Sequence, residues 1–221
     1  MTGTLFTGTL YEHTTKRVVD IIGALILLIL FLPICIIAAL AIKMDTEGSV
    51  FADVPERVGQ NRRKFTMYKF RSMINNAHVL LRTDPRFKTL YAQYKKDSYK
   101  LKSDPRITTV GRFIRKHSID EIPQILNVLR GQMSIVGPRA YYPDELENQQ
   151  KKYPHTQDLV RRVLSVKPGI TGLWQVSGRS EINFDKRIAL DAQYVQDISL
   201  IGDLTIMLRT PLEMIIGRGA I

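Results

Sequence analysis

Two adjacent carboxylates, Asp120 and Glu121, stand in the run Arg115-Lys116-His117-Ser118-Ile119-Asp120-Glu121-Ile122-Pro123-Gln124. A helix start alone could account for them. Ser118 and Glu121 match a capping box, acids suit the positive end of a helix dipole, and Pro123 is tolerated in a first turn. A helix start does not account for the cations around the pair: Arg106, Arg112, Arg115, Lys116, Arg130 and Arg139 lie close in sequence, more than two acids need. A diphosphate substrate would use the surplus, because guanidinium forks pair with phosphate oxygens. The same cations would ease the approach of an anionic nucleophile to phosphorus, each close contact being worth about 4 kcal/mol at an effective dielectric of 20. One carboxylate could then attack phosphorus while the other holds Mg²⁺, which typically takes one or two carboxylates plus substrate phosphates. Spacing leaves open which acid does which; the assignment adopted is Asp120 attacking and Glu121 coordinating.

Glycine loops supply further candidates. Gly137-Pro138-Arg139 and Val176-Ser177-Gly178-Arg179 can each present backbone N–H groups and an arginine to a phosphate. Lys69 and Arg71 alternate with apolar residues in Tyr68-Lys69-Phe70-Arg71-Ser72-Met73 and would share one face of a strand, as phosphate ligands or as a salt-bridged edge. Trp174 could stack on a base, although packing is the commoner use of such a ring.

The element that must place this chemistry is apolar. Ile21 to Ile42 holds 22 consecutive uncharged residues, about 33 Å as a helix and close to one hydrocarbon thickness. A cleaved signal peptide fits poorly, since the run is too long and no small-residue cleavage site follows. Lys16 and Arg17 precede it, and Lys43, Arg57, Arg62, Arg63 and Lys64 follow, so both ends carry the charge expected of the cytoplasmic side. A re-entrant path bent at Pro33 satisfies both ends; a spanning helix with a proline kink stays open. Asp20 is expected at headgroup depth, hydrated or paired with Arg17.

Beyond Lys43 one cytosolic domain is expected. Val50–Met67 reads as a short hairpin. Helix is favoured for 75–102, broken at Asp84-Pro85, and for 109–116, 122–129, 144–164, 184–197 and 204–216. Tyr91, Tyr94 and Tyr99 among lysines suit either an anionic membrane surface or a core edge. Lys and Arg exceed Asp and Glu by 32 to 21, which calls for an anionic partner. Nucleic acid is disfavoured, because the cations sit in separate loops and not in one stripe. One cysteine, Cys35, and four scattered histidines exclude a disulfide framework and make a transition-metal site improbable.

Five blocks in order give the chain a specific likeness: Lys69-Phe70-Arg71-Ser72-Met73, Asp104-Pro105-Arg106-Ile107-Thr108, Ser118 to Gln124, Ser134-Ile135-Val136-Gly137-Pro138-Arg139, and Lys167-Pro168-Gly169-Ile170-Thr171-Gly172-Leu173-Trp174-Gln175-Val176-Ser177-Gly178-Arg179. The chain resembles the bacterial sugar transferase family, the monotopic phosphoglycosyl transferases that prime glycan assembly on undecaprenyl phosphate. The resemblance covers nearly the whole chain. It implies a re-entrant helix bent at Pro33, a domain perched on the cytoplasmic leaflet, and two-step chemistry. The residue matching Asp120 becomes phosphoglycosylated with loss of UMP, and polyprenyl phosphate then takes the sugar-phosphate. The residue matching Glu121 serves Mg²⁺, and Arg115 and Arg139 match positions that bind phosphates. The stretches Lys100 to Arg106 and Tyr142 to Leu146 are similar to enzymes transferring galactose or glucose phosphate. Pro55 and Arg62 depart from the family pattern and bear on the hairpin more than on the chemistry. The chain resembles the minimal catalytic form, without the extra membrane helices of larger relatives.

The expectation is therefore an α+β, mainly helical protein: an N-terminal tail at 1–15, a re-entrant membrane helix at 16–45, and a small membrane-associated phosphoglycosyl transferase domain with a short β-hairpin at 46–221. Its site is Asp120 and Glu121 with Arg115, Arg139, Arg179, Arg106, Lys69 and Arg71 on phosphate. Its partners are a UDP-sugar, polyprenyl phosphate and an anionic membrane surface; a homodimer is left open. Its place is the cytoplasmic face of the bacterial inner membrane. The alternatives are a glycosyl transferase that releases UDP, and a non-catalytic membrane scaffold.

Overall fold

An unbroken run of leucine, isoleucine and alanine makes the dominant element, a 30-residue helix over Lys16–Asp45, about 45 Å long. In this computed structural model, which describes residues 3–96, 101, 103–178 and 182–216, the helix is continuous through Pro33. One stripe of it is buried: Lys16, Asp20, Ala24, Ala38 and Ile42, with Leu27, Leu28 and Phe31 partly covered between them. That three-or-four spacing is a single helical face. The other faces are bare, with Ile29 75% exposed and Ile37 67% exposed. Contiguous apolar surface of this kind is what a membrane-associated protein presents.

Both ends of the helix are tied to the same domain. Near its start, Lys16 pairs with Asp203, and Arg17 donates to the carbonyls of Val128 (2.6 Å) and Leu129 (3.0 Å). Asp20 accepts from Ser134 Oγ and the Ile135 N–H, both at 2.9 Å. Asp20 is therefore not a headgroup residue paired with Arg17. Docking turns it inward, where two donors stabilise a carboxylate that water no longer reaches. At the far end, Asp45 accepts from the Val110 N–H, and the Arg71 guanidinium holds the carbonyls of Thr46 and Glu47.

The domain is mainly helical, as expected. The hairpin is present but short: Arg57–Val58 pairs antiparallel with Lys64–Phe65 around a tight turn at Gln60–Arg62. The 75–102 stretch forms Ala77–Thr83 and Lys88–Lys96 on either side of Pro85–Phe87; Tyr99, Lys100 and Lys102 lie outside the described residues. Helix covers Thr109–Lys116 and Phe184–Gln196 close to expectation. The expected 144–164 helix is two, Pro143–Lys152 and Gln157–Val163, because Pro154 cannot continue the first. The last helix starts earlier than expected, at Leu200.

Two strands, Ser134–Val136 and Gly169–Thr171, run parallel, with Ser134 opposite Gly169 and Val136 opposite Thr171. Their ends nearly touch, and a Cβ on Gly137 would lie 2.6 Å from the Lys167 carbonyl oxygen. The principal core lies under this pair and the anchor helix, built on Ile125, Val128, Met133, Ile135 and Ile206.

Asp203 gathers three donors in that core: Lys16 and the hydroxyls of Tyr11 (2.8 Å) and Tyr194 (2.8 Å). The Tyr194 hydroxyl also approaches the Val136 carbonyl at 3.1 Å, but its one proton serves the shorter, charged contact. Tyr194→Phe keeps the ring and deletes that bond. It is expected to cost about 2 kcal/mol, read as a lower melting temperature in detergent; an unchanged value would show that the bond contributes nothing.

Candidate active site

The acid pair is placed by a reversal of the chain. Thr108 caps the Thr109–Lys116 helix through its side-chain oxygen, which accepts the Gly111 N–H at 2.9 Å. At Ser118 the backbone turns left-handed (φ 54°), and a 3-10 turn over Ile119–Gln124 carries Asp120 inward. Ser118 makes no side-chain cap, so the capping box does not form. Glu121 is instead drawn to Lys69, its Oε1 2.6 Å from Nζ. The Lys69 segment is extended and not a strand, and it is pinned from two sides. The Phe70 N–H donates to the Asp120 carbonyl (3.0 Å), and Gly111 packs so closely that a Cβ would lie 2.0 Å from the Ser72 oxygen.

Asp120 is 8% exposed, and Lys69 Nζ lies 3.9 Å from its Oδ2. Burial pushes its carboxyl up to about 6; the Glu121 charge adds to the rise and Lys69 opposes it. Glu121 goes the other way. Burial would raise it, but the adjacent ammonium and its hydrogen bond, with Arg139 and Arg57 beyond, hold it below the usual glutamate value. Its side chain keeps 41% of its surface open, onto a cavity of about 960 Å³ that Lys69, Arg115, Asp120, Gln124 and Arg139 also line. Environments that push two neighbouring acids apart assign them different work. Asp120 is poorly solvated and keeps its proton to a higher pH than an ordinary aspartate, and Glu121 stays anionic.

Among the described residues, no group of three His, Cys, Asp or Glu side chains could hold a metal ion. Two adjacent carboxylates facing a cavity nevertheless suit Mg²⁺ once substrate phosphates complete its shell.

Residues 11–217 match the bacterial sugar transferase family. The chain belongs to that family. It is 43% identical over 199 residues to the undecaprenyl-phosphate galactose phosphotransferase of Salmonella typhimurium, covering 88% of this chain and 39% of that protein. It is 37% identical over 215 residues to the undecaprenyl-phosphate glucose phosphotransferase of Komagataeibacter xylinus, covering 95% and 37%. It is 38% identical to the exopolysaccharide production protein ExoY of Rhizobium meliloti over 93% of this chain and 87% of that one. The chain thus spans about two-fifths of the first two relatives and most of the third.

The other expected phosphate ligands divide. Arg139 and Arg115 line the cavity with the acids. Arg106, 2% exposed, donates to both Asp104 oxygens and to the Ala77 carbonyl, and Arg71 clamps the turn after the anchor helix. Both therefore brace the cavity wall through protein acceptors. Arg179 lies outside the described residues. The Gly137-Pro138-Arg139 loop offers no open backbone nest: the Gly137 N–H donates to Thr171 (2.9 Å), and the Arg139 N–H to Asp191 (3.1 Å). Its contribution is the Arg139 side chain.

Sequence reasoning missed the supports of that side chain. The guanidiniums of Arg139 and Arg187 each lie 5.2 Å from the Trp174 ring, and Trp174 is 6% exposed, so it packs. Asp191, fully buried, accepts from the Arg139 N–H and from the Tyr141 hydroxyl at 3.0 Å; burial pushes its carboxyl to about 7 against those two bonds. Arg57 stacks 3.3 Å above the Tyr142 ring and donates to the Ala140 carbonyl at 3.1 Å. No local signal marks Arg57, whose place depends on the hairpin meeting Tyr141 far along the chain.

Proposed function

We propose that the chain transfers a hexose-1-phosphate from a UDP-sugar to polyprenyl phosphate, with Asp120 as the covalent carrier, priming exopolysaccharide, capsule or O-antigen synthesis. The observation that carries this is the buried Asp120 carboxylate in a cation-lined cavity against an apolar anchor. The names of the relatives, which specify an undecaprenyl-phosphate carrier and a galactose or glucose phosphate, support the same substrates.

An Asp120 oxygen attacks the sugar-bearing phosphorus of the donor. The anhydride bond to UMP breaks, UMP leaves with the electron pair, and an aspartyl phosphosugar remains. A phosphate oxygen of the lipid then attacks the same phosphorus and releases the Asp120 carboxylate. One acyl phosphate is made and consumed, so the exchange needs no other energy source. Lys69 keeps Asp120 ionised and holds Glu121 in place, while Arg115 and Arg139 bind the donor's phosphate oxygens. Mg²⁺, when bound at Glu121 and the substrate phosphates, would neutralise charge on the departing nucleotide.

Incubation with Mg²⁺ and a panel of UDP-sugars should release UMP and add one sugar-phosphate mass to the intact protein. Release of UDP without an adduct would favour simple glycosyl transfer and sink the proposal.

The proposed location is the cytoplasmic face of the bacterial inner membrane, with the anchor helix re-entrant. Attachment of both helix ends to one domain supports it, since a spanning helix would carry its ends to opposite faces. Tags at the two termini should both be shielded from an outside-added reagent; labelling of one alone would restore the spanning path.

A further inference from the structure

A second cavity, of about 210 Å³, opens at the start of the anchor helix and shares no lining residue with the catalytic one. The parallel strand pair divides the two. Ser134 lines the second cavity and Ile135 the first, as neighbours on a strand turn to opposite faces. Cavities for drug-sized ligands begin at about 300 Å³, so this one suits a group smaller than a nucleotide-sugar. Glu12, His13, Lys16, Arg17, Asp20 and Lys167 supply its charge.

Part of that charge is already matched. Lys16 pairs with Asp203, and Asp20 accepts from Ser134 and the Ile135 N–H. Arg17 and Lys167 remain. Among the described residues Arg17 donates to two backbone carbonyls and to no acid, and Lys167 makes neither hydrogen bond nor ion pair. The two cations converge on Gly131, where a Cβ would lie 3.6 Å from Arg17 Nη2 and 4.0 Å from Lys167 Nζ. Burial and the Arg17 charge hold the Lys167 ammonium below the usual lysine value, against the pull of Asp20. A phosphate on both would offset that repulsion. Glu12 is the complementary group: half-buried in the same cavity, it too has neither hydrogen bond nor ion pair among the described residues. Its turn is pinned by the next side chain, since Tyr11 is fully buried and donates to Asp203 at 2.8 Å. An occupant that suits all three carries a phosphate and an ammonium.

The cavity lies where the bare apolar surface of the anchor begins: Val18 and Ile22, just past Arg17, are 55% and 54% exposed. A bilayer over that surface sets its phosphate layer at the level of Arg17. We propose that this cavity binds the phosphoethanolamine headgroup of a phospholipid, with the phosphate on Arg17 and Lys167 and the ammonium on Glu12. The site rests on the membrane placement proposed above and is independent of the aspartyl chemistry. A choline headgroup has no N–H to donate to Glu12, and a glycerol headgroup has no cation, so both bind more weakly. One lipid then bridges the anchor and the loop that leads into Gly169–Thr171, and fixes the depth at which the domain rides.

The full chain in mild detergent is titrated with phosphatidylethanolamine, phosphatidylcholine, phosphatidylglycerol, soluble phosphoethanolamine and inorganic phosphate, and bound molecules are counted by native mass spectrometry. One phosphatidylethanolamine should bind about tenfold more tightly than either other lipid. Lys167→Met should weaken phosphatidylethanolamine and phosphatidylglycerol alike, by about tenfold, and Glu12→Gln should erase the preference between them. Lys151→Met, which removes an exposed cation elsewhere, should match the parent. A cooperative melt in each variant shows that it folds. Phosphatidylglycerol or phosphatidylcholine bound as tightly as phosphatidylethanolamine by the parent overturns the assignment of the headgroup. Soluble phosphoethanolamine or inorganic phosphate bound as tightly as the lipid overturns the bilayer as its source. Lipid affinity unmoved in both cavity variants overturns the site and leaves the membrane placement standing. Co-sedimentation of the parent with phosphatidylcholine vesicles reads that placement by itself, and its failure removes both.

Discussion

Asp120→Asn is expected to lower sugar-phosphate transfer by about 10⁴-fold or more, with neither a UMP burst nor an adduct on the intact protein. The amide keeps the size of the carboxyl but has no nucleophilic oxygen able to form an acyl phosphate, and no neighbour can substitute. Glu121, which lines the same cavity, is held on Lys69 at 2.6 Å. Loss of folding would give the same silence, so stability is the second readout, and its sign is opposite. The Asp120 carboxyl is pushed up to about 6, above the ordinary aspartate value of about 3.9. Between about pH 4 and pH 6 the folded state therefore binds a proton that the unfolded state does not, and stability falls as pH rises through that window. Above pH 6 the parent carries the full cost of a buried charge. An asparagine carries none, so the variant should melt higher than the parent at pH 8. A variant that melts higher and still turns over normally would remove Asp120 from the chemistry.

Local rules explain how much of this was legible in the sequence. The Thr109–Lys116 helix was readable at both ends because Thr108 caps it and Ser118 breaks it within one turn. Pro154 was equally visible, yet the helical composition on both sides hid the break it makes between Lys152 and Gln157. The last helix is expected from 204, whereas in the fold it starts at Leu200, where the Ser199 hydroxyl accepts the Gly202 N–H and steadies the first turn. In the site, Asp120, Glu121, Lys69, Arg115 and Arg139 converge because three chain segments meet at the acid turn. Arg106 lines the cavity and also pairs with Asp104 two residues away, a pairing that local reading could find. Asp191 and Arg57 could not have been found in that way. Each contacts the distant Arg139–Tyr142 segment, which no local pattern on its own element announces.

Lys69→Met is expected to reduce kcat/KM about a hundredfold at pH 7 and to move the acid limb of its pH profile upward. Two adjacent acids, one of them buried, resist joint ionisation, and Lys69 is the cation closest to both, 2.6 Å from Glu121 and 3.9 Å from Asp120. In the parent it opposes the burial that lifts Asp120, and it is the main force that holds Glu121 down. Without it both carboxyls rise and the pair retains a proton near neutrality. Because the nucleophile must be ionised, activity in the parent should fall as pH drops through about 6; in the variant the same fall should begin at least a pH unit higher. Alkaline buffer should then recover part of the loss, and Lys69→Arg should recover more by restoring the charge. A lysine needed only for packing would lower the profile evenly at every pH. An unmoved acid limb would therefore separate Lys69 from Asp120 ionisation and leave burial, Glu121 and Arg115 to set the nucleophile.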